Sequence, residues 1–203
     1  MMMTPLSIVS LTLAIGLTAA LRWSSCSNTK DTDVVQIYNI DITPEAIPFP
    51  GEAHLHLNMT FTRNVTSAYV DVEFYKMIFG FPIKVPCLSG TSTIGSCNNV
   101  DACHIFRSIM RDPNHQTDYG HQAENVFLAA LGHYVQCPLA AENMVVNDGV
   151  FHLDPMPAVL DLISHGDYKA VLRGKEAVDG PFTLGCLEVF ATIGGASSNP
   201  IVG

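Results

Sequence analysis

The sequence has none of the short motifs that identify the common nucleotide-binding proteins and covalent hydrolases. Gly-x-Ser-x-Gly, the phosphate-binding loop and the dinucleotide-binding glycine fingerprint are all absent. No Cys-x-x-Cys pair occurs, which argues against a zinc ribbon and a thioredoxin-type redox site. Among the eight histidines, His115, His121 and His133 show no recognisable ligand spacing. His54 and His56 share one face of a strand, as two metal ligands could, but they are interpreted as solvated strand residues. We therefore predict no metal site, no cofactor and no enzyme activity of the chain itself.

Basic residues are also scarce. Lys and Arg number 10 against 19 Asp and Glu, which gives a formal net charge of −9. Because binding to a polyanion depends on clustered basic side chains, and no basic block is present, we predict no nucleic-acid partner. No internal repeat, charge run or low-complexity linker divides the sequence. One domain is therefore expected.

The N-terminal segment is apolar but short. Residues 5–20 carry no charge and form a run of about 16 residues, below the roughly 20 that a membrane-spanning helix needs. Thr18 and Ala20 are small residues at the positions that signal peptidase favours. We predict a signal peptide over residues 1–20 and a single mature domain over 21–203, with a core over about 23–193; a membrane anchor is the alternative.

Six cysteines follow this leader. An even cysteine set in a secreted chain is typical of a disulfide framework, because thiols stay reduced in the cytosol. Spacing alone does not choose among the possible pairings. The cysteines lie at Cys26, Cys87, Cys97, Cys103, Cys137 and Cys186.

Alternation of apolar and polar residues dominates the sequence. The run from Ala53 to Phe61 and the run from Ala68 to Phe74 each read as a half-buried strand, and we predict that they form an antiparallel pair. Further strands are predicted within 38–42, 83–85, 149–153, 168–173 and 182–193, and short helices at 103–110 and 123–131. The fold class is therefore mostly antiparallel β with one or two short helices.

Two N-glycosylation sequons agree with this assignment. Asn58 lies on the polar face of the first strand, and Asn64 lies in the turn that follows it. We predict that both are glycosylation sites.

Two apolar stretches interrupt the strand pattern. Lys76–Lys84 contains Gly80 and Pro82, which disfavour a continuous strand, so we predict a loop. This loop is either folded onto the core or exposed as an apolar tip that contacts lipid. The stretch 155–164 poses the same alternative between core burial and an apolar-ligand site.

Six short motifs then indicate a family. They are Trp23-Ser-Ser-Cys26, Ile83-Lys-Val-Pro-Cys87, Ile94-Gly-Ser-Cys97, Cys137-Pro, Gly166-Asp-Tyr168 and Leu184-Gly-Cys186. In this order they resemble the ganglioside activators, which serve lysosomal β-hexosaminidase A and belong to the ML lipid-recognition domain superfamily. The resemblance spans roughly residues 23–193. It implies an immunoglobulin-like β-cup of two antiparallel sheets around an apolar lipid cavity, with disulfides Cys26–Cys186, Cys87–Cys97 and Cys103–Cys137.

The resemblance also implies a function. A secreted or lysosomal protein of this kind binds a glycosphingolipid or other two-chain lipid, touches the membrane transiently, and presents the lipid to a β-hexosaminidase-type glycosidase without catalysing a reaction. The predicted lipid-binding residues are Leu55, Leu57, Val72, Phe74, Met77, Ile78, Phe79, Phe81, Val159, Leu160, Leu162 and Ile163. The alternative is a secreted carrier of sterol, phospholipid or a signalling lipid that has no hydrolase partner.

The sequence departs from the family pattern at two places. Pro82 stands where the family has a tryptophan, so Phe79 or Phe81 is expected to supply the aromatic anchor. The segment between Cys103 and Cys137 is longer than in the family and has no cysteines where the family has a fourth disulfide. We expect the helix over 123–131 to take the place of that disulfide.

Overall fold

Two mainly antiparallel sheets face each other in the computed structural model, which describes residues 21–87, 95–109, 119–155 and 165–194; in the larger sheet β3 pairs with β10 in parallel. The larger sheet has the order β1-β10-β9-β5-β6, with β3 added to β10 and β7 added to β5. The smaller sheet has the order β2-β4-β8. The strands are β1 (Arg22–Ser25), β2 (Val35–Thr43), β3 (Ala46–Ile47), β4 (Gly51–Phe61), β5 (Tyr69–Ile78), β6 (Phe81–Lys84), β7 (Val100–Asp101), β8 (Asn143–Leu153), β9 (Gly166–Lys175) and β10 (Gly185–Ile193). The predicted mostly β fold class is confirmed.

The predicted pairing of β4 with β5 is wrong. β4 pairs with β2 and β8, whereas β5 pairs with β9, β6 and β7 in the other sheet. The connection between them carries Val65, which is fully buried and exchanges two backbone hydrogen bonds with Leu139. This anchored segment leads the chain from one sheet to the other. Alternation identifies which face of a strand is apolar, but it does not identify the neighbouring strand.

The stretch Lys76–Lys84 is a β-hairpin and not a loop. β5 and β6 pair up to Ile78 and Phe81, so Phe79 and Gly80 form a two-residue turn with φ angles of 51° and 82°. Positive φ at both positions is the geometry of the tight hairpin turn that matches strand twist. Pro82 is tolerated because β6 is the last strand in the order β1-β10-β9-β5-β6. The backbone groups along the outer edge of such a strand have no partner strand, so a missing N–H there breaks no hydrogen bond.

Both predicted helices are present, as α1 (Ala102–Ile109) and α2 (Tyr119–Leu131). At the start of α1, Asp101 Oδ1 accepts a hydrogen bond from the backbone N–H of His104 at 2.8 Å, which is an N-cap. At the end of α2, Gly132 has φ 77° and donates its N–H to the Leu128 carbonyl, as expected of a glycine that follows a helix. No helix in the described ranges is long and apolar enough to span a membrane.

Three disulfides staple the fold: Cys26–Cys186, Cys87–Cys97 and Cys103–Cys137. These are the pairs that the family resemblance implies. Cys26–Cys186 joins the ends of β1 and β10, and Cys103–Cys137 joins α1 to the segment that follows α2. The disulfides therefore fix the edge of the larger sheet and the helical insertion.

The buried core occupies only part of the space between the sheets. One cluster of buried side chains lies near α1 and the β4–β5 connection and consists of Val34, Val65, Ala68, Cys103, Leu139 and Leu184. Further buried apolar residues are Ala53, Cys97, Met144, Val146, Tyr168 and Val171. Most inward-facing strand residues in the described part of the chain are only half-buried. Side chains therefore do not fill the whole interior.

Candidate functional site

A cavity of about 520 Å³ lies between the two sheets. Its larger-sheet wall comes from residues that the strand register places on one face: Trp23 on β1, Leu187 on β10, Leu172 on β9 and Val70 on β5. The opposite wall includes Val35 and Ile37 of β2 and Phe61 of β4, and α1 adds Ala102 and Phe106. The facing surfaces of the two sheets therefore present mainly aliphatic and aromatic side chains to the cavity.

A pair of glycines helps to open this cavity. Gly174 on β9 and Gly185 on β10 are paired across the ladder, and both line the cavity. A Cβ at Gly174 would lie 2.8 Å from the Cβ of Leu184, too close for a real contact. The larger sheet thus presents bare backbone where other pairs would project side chains.

One side of the cavity is polar. Ser25, Lys30, Asp31, Asp33, Gln36 and Tyr38 line this side, which lies along β1, β2 and the segment between them. Asp33 is buried and accepts hydrogen bonds from Ser27 Oγ at 2.9 Å and Thr29 Oγ1 at 3.2 Å, which holds the segment in place. We call this side the polar mouth. Apolar walls with a polar mouth suit an amphiphile better than a hydrocarbon or a sugar.

A second cavity of about 380 Å³ lies between β4, β8 and the helices. Leu57 and Met59 of β4, Met144 of β8, and Phe127 and Leu131 of α2 line it. At its rim His133 Nε2 lies 2.9 Å from Glu142 Oε2. The hydrogen bond to Glu142, with a further one to the Tyr134 carbonyl, raises the pKa of His133 above its usual value.

The predicted lipid-binding residues fall into three groups. Leu57 lines the second cavity, and Leu55 lies two residues before it on the same face of β4. Val72 and Phe74 share the face of β5 that carries Val70, and Phe74 stacks on Tyr168 at 5.3 Å between ring centroids. These four residues flank the cavities rather than forming most of their walls. The role of each in lipid binding stays a prediction.

The second group forms the tip of the β5–β6 hairpin. Phe79 is 97% exposed and Phe81 is 71% exposed, and Ile78 beside them is also exposed. The hypothesis that this stretch folds back onto the core is therefore wrong. Met77 is half-buried on the opposite face of β5 from Phe74. The third group, Val159, Leu160, Leu162 and Ile163, lies outside the described residues.

Sequence reasoning missed most of the cavity wall. Trp23, Ile37, Phe106 and Leu172 line the first cavity but were not predicted as lipid-binding residues. Phe61 belongs to the same alternating run as Leu55 and Leu57, so that run could have indicated it. For Phe106 and Trp23 the sequence gives no comparable signal, because an isolated helix residue and a four-residue edge strand do not reveal what they face.

The outer face of the smaller sheet carries a polar cluster. His54 Nδ1 lies 2.7 Å from Asp148 Oδ1, and His54 Nε2 lies 3.1 Å from Glu52 Oε1. The hydrogen bond to Asp148 is the main cause that raises the pKa of His54. Among the residues that the structure describes, no group of His, Cys, Asp or Glu side chains has the arrangement of a metal site. Asn58 and Asn64 are exposed, as glycosylation requires, and their modification stays a prediction.

The chain resembles a known protein family over most of its length. The family model described as E1_DerP2_DerF2: ML domain matches residues 20–193. No curated protein sequence matches the chain significantly. A solved structure of a Niemann-Pick type C2 protein from the Japanese carpenter ant aligns with 85% of this chain and 99% of that one, at 14% identity and a TM-score of 0.40. Because the family model covers most of the sequence, the chain belongs to the ML domain family of lipid-binding proteins.

Proposed function

We propose that this protein binds a ganglioside-type glycosphingolipid, extracts it from a membrane, and transfers or presents it to a β-hexosaminidase-type glycosidase. It would act in the lysosomal lumen or as a secreted protein. The observation that carries the proposal is the 520 Å³ cavity with apolar walls and a polar mouth. Each methylene moved from water into such a cavity contributes about 0.8 kcal/mol, so hydrocarbon chains supply the main driving force. The chain itself performs no covalent chemistry.

The hairpin tip supports contact with a membrane. Phe79 occupies a left-handed position where Asn or Gly would be favourable, and its side chain meets solvent almost completely. Exposure of this aromatic ring to water is unfavourable, and burial at the headgroup–acyl boundary of a membrane would remove that cost, whereas the backbone strain is the same in both environments. Ile78, Phe81 and Ile83 extend the same exposed apolar patch.

The strand register of the larger sheet gives the distance between the hairpin tip and Trp23. The strand register places Trp23, Val189, Ala170 and Phe74 side by side across the larger sheet. Ile78 follows Phe74 by four residues on β5, a distance of roughly 13 Å at about 3.3 Å per residue. Trp23 lies three strands from Phe74, roughly 14 Å across the sheet at about 4.8 Å per strand. A tip inserted into a membrane would therefore turn the Trp23 end of the cavity toward the lipid surface, at a distance of about 20 Å.

The proposal is tested by transfer of a fluorescent ganglioside between vesicles at about pH 5 and about pH 7. We expect transfer that depends on protein concentration, and hydrolysis of the ganglioside only when a hexosaminidase is added. Absence of transfer at both pH values would refute the proposal. Transfer of sterol or phospholipid in preference to ganglioside would favour the carrier alternative, and hydrolysis by the pure protein would show it to be an enzyme.

Replacement of Phe79 by Asn tests the role of the tip. Asn favours the left-handed turn, so we expect the Phe79→Asn variant to fold at least as stably as the wild type. Because a buried Phe side chain contributes about 1.5–3 kcal/mol, we expect the transfer rate to fall about tenfold or more. Val178→Asn is the matched control, since Val178 is also exposed but follows β9 at the opposite end of the sheet. Equal effects of the two variants would contradict membrane contact by the tip.

The ionisable groups predict a protein that is more stable in an acidic lumen. His54 and His133 have raised pKa values in the folded state, so their stabilisation is full below about pH 6.5 and is lost as the pH rises through the raised values. Asp71 and Glu73 have lowered pKa values, so their contribution is present above their ordinary values and is lost only in stronger acid. We therefore expect a higher Tm at about pH 5 than at about pH 7.5.

This pH dependence is checked by thermal unfolding across the same range. His54→Gln and His133→Gln should each reduce the gain in Tm on acidification, because the first removes the pairs of His54 with Asp148 and Glu52 and the second removes the pair of His133 with Glu142. His56→Gln, on the same strand as His54, is the matched control. A Tm that falls between about pH 7.5 and about pH 5 would contradict the prediction.

A further inference from the structure

The two cavities share a thin wall. Phe61 of β4, Phe106 of α1 and Leu139 line both of them. The backbone fixes two of these residues. Phe61 exchanges hydrogen bonds with Glu142 at 2.8 and 3.1 Å, and Leu139 exchanges hydrogen bonds with Val65 at 2.9 and 2.8 Å. The third residue, Phe106, is a half-buried aromatic side chain on α1 and the member of this wall that lies between Cys103 and Cys137. A change of its rotamer would open the wall without moving the backbone.

The second cavity is built by the insertion between Cys103 and Cys137. Phe106, Phe127, Leu131 and Val135 lie within that segment, and the disulfide ties its two ends together. Its walls are mostly apolar, and it lies beyond the shared wall as seen from the polar mouth. A ligand that fits entirely within the first cavity would leave this second apolar space unused.

We propose that the second cavity is a distal compartment for the end of a long acyl chain, and that Phe106 is the divider that the chain must displace to enter it. A long chain whose polar end lies at the mouth of the first cavity then occupies both compartments. A short chain occupies only the first. The inference rests on the proposed function and adds a selection for chain length that acts through Phe106.

The single tryptophan of the sequence makes the compartments separately observable. Trp23 lines only the first cavity, whereas Phe127 lines only the second. In a Trp23→Phe/Phe127→Trp variant the fluorescence therefore reports on the distal compartment alone. Leu131→Trp in the Trp23→Phe background is the replacement reporter if the first variant does not fold, since Leu131 also lines only the second cavity.

Bromine quenches tryptophan fluorescence at short range, so brominated fatty acids locate the two ends of a bound chain. We expect stearic acid brominated beside its carboxyl group to quench Trp23, and stearic acid brominated at its terminal methyl to quench the distal reporter. Terminally brominated octanoic acid should quench Trp23 alone. Quenching of Trp23 by all three probes, with no quenching of the distal reporter, would overturn the distal compartment and leave the proposed function intact. Failure of every probe to quench either reporter would overturn the distal compartment, and the ganglioside transfer assay would then decide the proposed function separately.

Phe106→Leu tests the divider, since leucine is apolar but smaller. We expect this variant to bind stearic acid about two- to tenfold more tightly than the wild type, because no large side chain has to leave its preferred rotamer. Affinity for octanoic acid should change less, because Phe106 is only one part of the first cavity's wall. Ile37→Val is the matched control, because Ile37 lines only the first cavity and should affect both acids alike. Equal changes for the two acids in Phe106→Leu would overturn its role as divider.

Discussion

Loss of the Cys26–Cys186 disulfide is expected to destabilise the protein by about 5 kcal/mol in the chain-entropy model, because the bond spans 160 residues. Without the bond, the four-residue strand β1 is held to the larger sheet mainly by its pairing with β10. Trp23 and Ser25 of β1 line the first cavity, so lipid binding should be lost with the edge of the sheet. The measurement is urea unfolding of a Cys26→Ser/Cys186→Ser variant, with Trp23 emission recorded before unfolding.

Cys87→Ser/Cys97→Ser is the matched control for this experiment. That disulfide spans 10 residues, so the same model gives a cost of about 2.5–3 kcal/mol. Neither cysteine lines the first cavity, and Trp23 emission should keep its native wavelength. Equal destabilisation by the two double substitutions, or native Trp23 emission without Cys26–Cys186, would contradict the proposed role of the long-range bond.

Removal of the buried ammonium group of Lys175 should be the most damaging single change on the outer face of the larger sheet. Lys175 is 3% exposed, and its Nζ lies 2.8 Å from Asp71 Oδ2. Asp71 Oδ1 also accepts the backbone N–H of Asn99 at 2.7 Å. Burial alone would raise the pKa of Asp71, but the hydrogen bonds from Asn99 and Lys175 together hold it below its usual value. Lys175→Met leaves this carboxylate without its cation, and we expect a cost of about 3–5 kcal/mol.

A double-mutant cycle separates the free energy of the Asp71–Lys175 ion pair from the other effects of changing the two side chains. Asp71→Asn keeps the oxygen that accepts the Asn99 N–H, so Asp71→Asn/Lys175→Met should recover much of the stability that Lys175→Met loses. Lys169→Met on the same strand is the control. Its pair with Glu188 is only about three-quarters buried, and we expect a cost of no more than about 1 kcal/mol. Similar losses for Lys169→Met and Lys175→Met at pH about 7 would contradict the prediction.

The hairpin tip shows which structural features the local sequence predicts and which it does not. Gly80 and Pro82 correctly indicate that the chain turns within Lys76–Lys84, and the run of apolar residues indicates a special surface. Their interpretation as a loop was wrong because Pro82 is unfavourable only where its missing N–H has a partner to lose. Position at the edge of a sheet is a property of the assembled fold, and it cannot be read from the residue.

The pairing of β4 shows the same limit at longer range. Alternation placed Leu55, Leu57 and Phe61 on one face correctly. The partners of β4 are Val35–Thr43 and Asn143–Leu153, which lie before and well after it in sequence. Because β5 is the next strand in sequence, the sequence favoured β5 as the partner of β4. In the structure the segment that contains the buried Val65 connects β4 to β5 in the other sheet.

By itself the sequence determined the apolar faces of β4 and β5, the two helices and the class of the fold, because periodicity and capping act over a few residues. It also carried enough of the family pattern to imply lipid binding and the three cysteine pairs. Only the tertiary structure decided which side chains surround empty space. The cavity walls combine Trp23, Val35, Phe106 and Leu172 from four distant segments. Whether apolar faces close into a core or stay apart around a cavity depends on how the layers pack, and packing is a property of all the segments together.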